Sequence, residues 1–382
     1  MDMTGAGTLA NLRVLELGAI GPSAHAAMLL ADMGADVVRV QRPGGIDTSA
    51  SDQLLRGRSV IEADLKSATG IDTVRSFAER ADVVIEGFRP GVAERLGLGP
   101  ESLLALNRAA IYARVTGWGQ TGPYADKAGH DINFLAPTGI LHAMGRADSR
   151  PVPPLYLVAG FGAGSMFLVT GILAALWERQ SSGIGQVVDV AMADGAALLA
   201  QQSWSMRAFG GWSDERGRNL VDGSCPFWDT YDTADGKYIA VGAFEPVFYA
   251  RLLAALELDP TALPTQQDRQ RWPELRTAIA ERFVSETRAH WTTVFADIDA
   301  CVTPVSSFSE APNDPHFRAR GTFTVLDDVV QPGPVPLFSR TPSPPPSPPP
   351  RRGRKDNSSR AALRPVRLAL RPGLKHRAHH LW

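Results

Sequence analysis

The sequence predicts an α/β fold, with a large Rossmann-like domain on a parallel sheet and a smaller α+β domain. Three observations carry this. Short runs of branched apolar residues alternate with helix-forming stretches along the first part of the chain. A glycine-bounded turn followed by Pro22 joins the first such run to the first helix, and proline is preorganised for a first helical position. Further on, the pattern Tyr231-Asp-Thr-Ala-Asp-Gly-Lys-Tyr-Ile-Ala-Val241 reads as a hairpin with an Asp-Gly turn and opens a different kind of unit.

The elements follow in order. Leu12–Leu17 (LRVLEL) is a buried strand, Gly18–Gly21 a turn, and Ala24–Met33 a helix that Gly34 stops. Asp36–Val40, Asp82–Glu86 and Ala110–Val115 are further strands. Strands separated by helices form a parallel sheet covered by crossover helices, and ligands bind at the carboxyl ends of its strands. Arg42, Glu86 and the loop after Val115 lie at such ends. Phe161–Gln180 reads as one long apolar helix, Val187–Ala191 as a strand and Ala193–Phe209 as another helix. Residues 1–209 thus make the first part of the large domain. Residues 210–224, polar and Gly-rich, read as a linker or exposed arm. The small domain takes 225–310, with helices at Pro246–Leu256, Trp272–Ser285 and His290–Ala296 and a strand near Val302–Val305. Residues 311–340 return to the large domain. Residues 341–382 are expected to be unpacked and disordered: TPSPPPSPPP cannot form a helix or ladder, and a basic tail without periodicity follows. The abrupt change of composition near Pro332 suits an altered reading frame.

Composition narrows the function. A chain of 382 residues with 44% hydrophobic content supports two domains and a large core. The longest apolar run, around Met166–Trp177, is broken by Gly171, so no membrane span is expected. The N-terminus lacks the basic start and apolar core of a secretory signal. Only Cys225 and Cys301 occur, which excludes a disulfide framework and suits a cytoplasmic location. Residues 351–382 hold 10 Lys+Arg and one acid, leaving 29 basic and 39 acidic residues before them, a net of −10. That acidic body gives no reason to expect a nucleic-acid partner.

Several side chains are candidates for chemistry. Gly18-Ala-Ile-Gly21 lacks the third glycine of a dinucleotide loop. Arg42 stands where a nicotinamide site usually has an acid; with Arg89 and Arg95 it makes a candidate phosphate rim, although each alone reads equally as a solvated turn or helix-start residue. The richest stretch is Thr116–Asn133, TGWGQTGPYADKAGHDIN. It places His130 at the start of a helix expected over Asp131–Met144. There the helix dipole favours a neutral imidazole suited to taking a proton. Asp131 either orients that ring or caps the helix, and His130 is equally readable as a packed ring. Glu86 ends an apolar strand and is expected to face the cleft, or else to pair with Arg89. Glu245 opens a helix. No His/Cys group has zinc-ligand spacing, so no metal is expected. Neither cysteine carries a cue as a nucleophile, and both are expected to be buried thiols.

Long segments carry a resemblance. They are LRVLELGAIGPSAHAAMLLADMGADVVRVQRPGG, ADLKS (63–67), DVVIEGFRPGVAERLGLGPE (82–101), YARVTGWGQTGPYADKAGHDINF (112–134) and LAALWERQSSGIGQVVDVAM (173–192). Over about residues 12–340 the chain resembles the family III CoA-transferase superfamily, and within it the α-methylacyl-CoA racemases of bacterial type. The resemblance implies an interlocked homodimer and an acyl-CoA thioester substrate, with no separate cofactor. Arg42, Ala63, Leu65, Gly87, Arg89 and Arg95 would contribute to the CoA site. His130, assisted by Asp131, with Glu86 and Glu245 nearby, would be one of two bases that exchange the α-proton through an enolate.

The chain departs from that pattern at one place. The family segment Asn-Leu-Val-Gly-Asp-Phe-Gly reads here Tyr156-Leu-Val-Ala-Gly-Phe-Gly162, so Gly160 replaces the second base and Tyr156 an asparagine. Phe134 also stands where a tyrosine is frequent. The resemblance therefore implies a racemase impaired on one face. The alternatives are a non-catalytic acyl-CoA-binding homologue, a CoA-transferase, which is disfavoured because the same aspartate is its nucleophile, and an NADP-dependent dehydrogenase.

Overall fold

The structure, a computed structural model, describes residues 6–18, 20–44 and 52–349. Its first unit runs β1 (Arg13–Leu17), α1 (Pro22–Asp32), β2 (Asp36–Gln41), β3 (Arg58–Glu62), α2 (Ala68–Ala78), β4 (Val83–Glu86), α3 (Val92–Arg95), α4 (Pro100–Leu106) and β5 (Ile111–Thr116). Then come α5 (Asp131–Leu135), α6 (Ile140–Ala143), a π-helix (Leu157–Ser165), α7 (Met166–Ser182), β6 (Val187–Ala191), α8 (Met192–Leu199) and α9 (Gln201–Ala208). The six strands form one sheet in the order β3-β2-β1-β4-β5-β6, every neighbouring pair parallel. The order reverses between β1 and β4, which makes the crevice outside their carboxyl ends the topological switch point. β3 is an addition to the expected strands.

Strands in a sheet covered on both faces should be continuously apolar, and they are. Val14, Val37, Val83, Ile85 and Ile111 pack with α1 and α7 on one face, while Leu15, Leu17, Val38, Val84 and Tyr112 pack under α2 and α4 on the other. The exceptions are charged. Glu16 on β1 is fully buried between Arg39 of β2 and Arg58 of β3, with Arg58 Nη1 2.9 Å from Glu16 Oε2. One carboxylate thus bridges two buried guanidinium groups.

The π-helix and α7 are continuous, so the helix expected over 161–180 begins earlier and reaches 26 residues, Leu157–Ser182. It is long and apolar enough by composition to cross a membrane, longer than the broken run the sequence suggested. Its Leu168, Val169, Ile172 and Ala175 are buried against the sheet, which accounts for the apolar face as core. The helix expected over 193–209 is two, α8 and α9.

A second core lies over an antiparallel sheet of β7 (Trp228–Asp232), β8 (Tyr238–Gly242) and β9 (Val302–Pro304). Helices α10 (Pro246–Ala255), α11 (Trp272–Val284) and α12 (Arg288–Val294) cover it through Leu252, Leu275, Ile279, Phe283 and Trp291. The segment 210–224 is not a free arm. Asp222 gathers the amide N–H groups of Gly217, Arg218 and Asn219, and Arg216 donates to the carbonyls of His142 (2.8 Å) and Ser149 (2.7 Å).

After α13 (Pro315–Arg320), β10 (Phe323–Leu326) and β11 (Val329–Pro332) form a hairpin tied to the large sheet unit. Arg56 bridges Asp32, Gln331 Oε1 (2.6 Å) and the Pro332 carbonyl (2.8 Å). The proline-rich segment also differs from expectation. Proline removes N–H donors but keeps its carbonyls. The Ser347 carbonyl accepts the Gly57 N–H at 2.9 Å, and the hydroxyls of Thr341 and Thr8 are 2.9 Å apart. Residues 341–349 are therefore a docked strap; the rest of the tail lies outside the described residues.

Removing Glu16 would take the shared carboxylate away from two buried guanidinium groups that repel each other. Glu16→Ala is expected to destabilise the protein by about 3–5 kcal/mol, read as a lower urea midpoint, whereas Glu257→Ala, in an exposed pair with Arg282, should cost under about 1 kcal/mol.

Candidate active site

The loop leaving β5 is fixed by close packing. Thr116 Oγ1 accepts the Gly119 N–H at 3.0 Å, and Ala193 donates to the Gly117 carbonyl at 3.0 Å. Phe134 of α5 is buried against the faces of Gly117 and Gly129, where any Cβ would overlap its ring, and lies edge-on to Trp118 at 5.0 Å. Trp118 Nε1 and Asp131 Oδ1 are buried without a hydrogen-bond partner among the described residues.

His130 is the extended residue just before α5, and its N–H donates to Asn133 Oδ1 at 3.0 Å. Its side chain is exposed. The helix it opens is shorter than expected. The span 131–144 breaks into α5, a 3-10 turn at Ala136–Thr138 containing Pro137, and α6 after left-handed Gly139. A single turn has little macrodipole, so the local amide groups, not a long helix, supply the positive end near His130.

Asp131 reaches across to the π-helix. Its Oδ2 accepts the Gly160 N–H at 2.6 Å. A Cβ at 160 would meet that same oxygen at 3.5 Å, an ordinary contact. Asp131, next in the chain to His130, is thereby brought against Gly160. Tyr156 is exposed and touches Phe161 edge-on at 5.1 Å.

Two expected catalytic carboxylates are elsewhere. Glu86 does not face a cleft. It is buried and paired with Arg114 of β5 at 2.9 Å, not with Arg89, which is exposed. Burial raises its pKa, opposed by the Phe88 N–H (2.7 Å) and by Arg114. Arg114 in turn bridges Glu94 at 2.9 Å and borders Asp189, whose pKa burial also raises. This network ties β4 to β5. Glu245 caps α10 in the small domain, exposed, and bonds no helix N–H. Among the described residues it is not placed beside His130 by any contact.

The candidate CoA residues cluster at the carboxyl edge of the sheet. Arg42 is exposed just after β2. Ala63 is buried after β3, its N–H donating to the Gln41 carbonyl at 2.9 Å. Leu65 packs in the same apolar cluster as Phe88, the neighbour of Gly87 and Arg89. Arg95 is exposed on α3. No group of three metal-ligating side chains occurs among the described residues.

Sequence reasoning missed His25. It lies on α1, stacks on Phe161 at 4.4 Å and 17°, and its Nδ1 is 2.7 Å from Oγ of fully buried Ser165. Burial, then the charges of Arg56 and Arg58, hold its pKa below 6.5. A polar ring among Ser23, Ala24, Ala26 and Ala27, all buried, was the only available signal.

With this geometry in hand, comparison with known proteins is specific. The model of CoA-transferase family III matches residues 9–356. The chain belongs to CoA-transferase family III. It is 46% identical over 338 residues to the alpha-methylacyl-CoA racemase of Mus musculus and 43% over 339 residues to that of Homo sapiens, 88% of each chain being covered in both cases. A succinyl-CoA–D-citramalate CoA-transferase of Chloroflexus aurantiacus is 33% identical over 357 residues, 87% of this chain and 88% of that one. Among solved structures, a CAIB/BAIF family protein from Brucella suis superposes with a TM-score of 0.82 at 27% identity, covering 94% of this chain and all of that one.

A histidine held neutral in the folded state must charge as acid is added. Its contribution to stability is complete above its ordinary value of 6.5 and declines as pH falls toward its folded value. Stability measured by urea denaturation should therefore drop on acidification below about pH 6.5, and His25→Phe should flatten that part of the profile.

Proposed function

We propose that the chain handles the α-proton of 2-methylacyl-CoA thioesters, as the relatives' name implies, and that its two faces are unequal. The single observation that carries this is the meeting of His130, Asp131 and Gly160 across the α5–π-helix contact. An imidazole takes the α-proton, and the electron pair moves onto the thioester carbonyl as an enolate. Amide and indole N–H donors around the oxygen lower the cost of that charge. Reprotonation on the face of His130 restores the starting stereoisomer. On the other face Gly160 offers no proton, so inversion depends on solvent or on a group brought in from elsewhere. The CoA moiety is read as lying over the carboxyl edge of β2, β3 and β4, with Arg42, Arg89 and Arg95 toward its phosphates.

The site is read as completed by a second copy of the chain. A cavity of about 1470 Å³ lies between Met144 and Arg146, Trp204 of α9 and the strand residues Trp228, Asp229 and Thr303. Trp177, Trp204, Phe209 and the run 155–157 are exposed apolar groups. Patches of this kind mark association surfaces, and an interlocked homodimer would bring Glu245 of one copy toward His130 of the other. Sedimentation should then give twice the chain mass at micromolar concentration; a monomer would remove this completion of the site.

The chemistry is tested by deuterium wash-in from heavy water with each enantiomer of a 2-methylacyl-CoA supplied separately. One enantiomer should exchange well ahead of the other, with little inversion. Gly160→Asp should raise inversion roughly a hundredfold to ten-thousandfold, the usual contribution of a general acid–base group. A carboxyl there would sit beside Asp131, whose like charge favours the protonated form a donor needs. Equal, rapid exchange from both enantiomers would show that a second base is already present, and tight CoA-ester binding without exchange would favour a non-catalytic role.

A further inference from the structure

We infer that His25 is a positioning residue of this site: it clamps the π-helix from the side opposite Asp131 and so fixes where the Gly160 amide points. The inference deepens the proposed reaction and rests on it for its kinetic arm only.

The π-helix is a rare conformation, seen mostly as short turns at functional sites. Here two other elements hold it. Asp131 of α5 takes the Gly160 N–H at 2.6 Å. His25 of α1 engages the next residue and the last residue of the turn: its ring covers Phe161 at 4.4 Å, and its Nδ1 meets Ser165 Oγ at 2.7 Å. Ser165 is fully buried, so its hydroxyl has no water to replace that partner. Phe161 is further wedged by Tyr156. If His25 lets go, Phe161 is free to swing, Gly160 follows, and the bond that orients Asp131 beside His130 loosens. The charges facing the ring are Arg56, paired with Asp32, and Arg58, paired with Glu16; both favour the neutral ring that a stack on phenylalanine suits.

The experiment uses the full chain and three variants. His25→Phe keeps the stack and drops the bond, Ser165→Ala drops the bond from the other side, and His25→Asn keeps a polar atom near the Nδ1 position while dropping the stack. Amide hydrogen exchange is followed by mass spectrometry across 157–165 and, as an internal control for folding, across 166–182. Peptides from 157–165 should exchange at least tenfold faster in His25→Phe and Ser165→Ala, with 166–182 unchanged and the double variant no worse than either single one. His25→Asn should recover part of the protection. With a 2-methylacyl-CoA as probe, kcat for α-proton exchange should fall about tenfold while KM stays within twofold. Unchanged amide exchange in both single variants would overturn the inference, as would additive effects in the double variant or a KM that rises in step with the loss of rate. Absence of α-proton exchange in the unaltered protein would count against the proposed reaction alone, because the amide arm still reads the clamp.

Discussion

The hydrogen bond from the Gly160 amide to the Asp131 carboxylate, 2.6 Å long, joins the two pieces of chain on which the site depends. One piece is the loop after β5, which carries His130. The other is the π-helix, which carries the position opposite. A charged acceptor on a backbone N–H is among the stronger bonds a protein makes, and it is the only side-chain hydrogen bond that ties α5 to the π-helix among those described. Everything beneath serves to hold these two pieces still. The sheet fixes the end of β5 through the Arg114–Glu86 pair, and α7 extends the π-helix as a rigid core element.

Buried charge therefore plays two different parts in this chain. In the sheet unit it is paired: Glu16 with Arg39 and Arg58, Asp32 with Arg56, Glu86 with Arg114. Compensated charges set register and are chemically silent. At the site two polar atoms are left incomplete, Asp131 Oδ1 and Trp118 Nε1. Incomplete groups carry a cost in the empty protein that a ligand can offset. The contrast separates Glu86 from Asp131, two acids the sequence ranked together.

What the sequence made legible was local. β1, β2, β4 and β5 announce themselves as short apolar runs, and the Gly-rich loop before His130 marks its own irregularity. β3 escaped notice because RSVIE starts and ends on charged residues, and Arg58 is inside because Glu16, two strands away, and the carbonyls of Ala24 and Leu54 await it. Glu86 was misjudged for the same reason: its partner lies 28 residues on, in the neighbouring strand. The break in the helix expected over 131–144 was visible as Pro137 and Gly139. The π-helix was not, since LVAGFGAGS has no pattern that separates it from an α-helix. The strap at 341–349 shows the converse, a composition that forbids ladders yet still docks through a carbonyl. Gly160 could be singled out only by resemblance, and the structure adds that a Cβ there would make an ordinary contact.

The central claim is geometric: the reacting carbon lies between the imidazole of His130 and a gap at Gly160. A crystal structure with a non-reactive 2-methylacyl-CoA ether analogue tests it directly. The account predicts the α-carbon within about 3.5 Å of a His130 ring nitrogen, with Gly160 on the opposite face and no ionisable group as near. An α-carbon seated away from His130, or a carboxylate found against it across from that ring, would contradict the account.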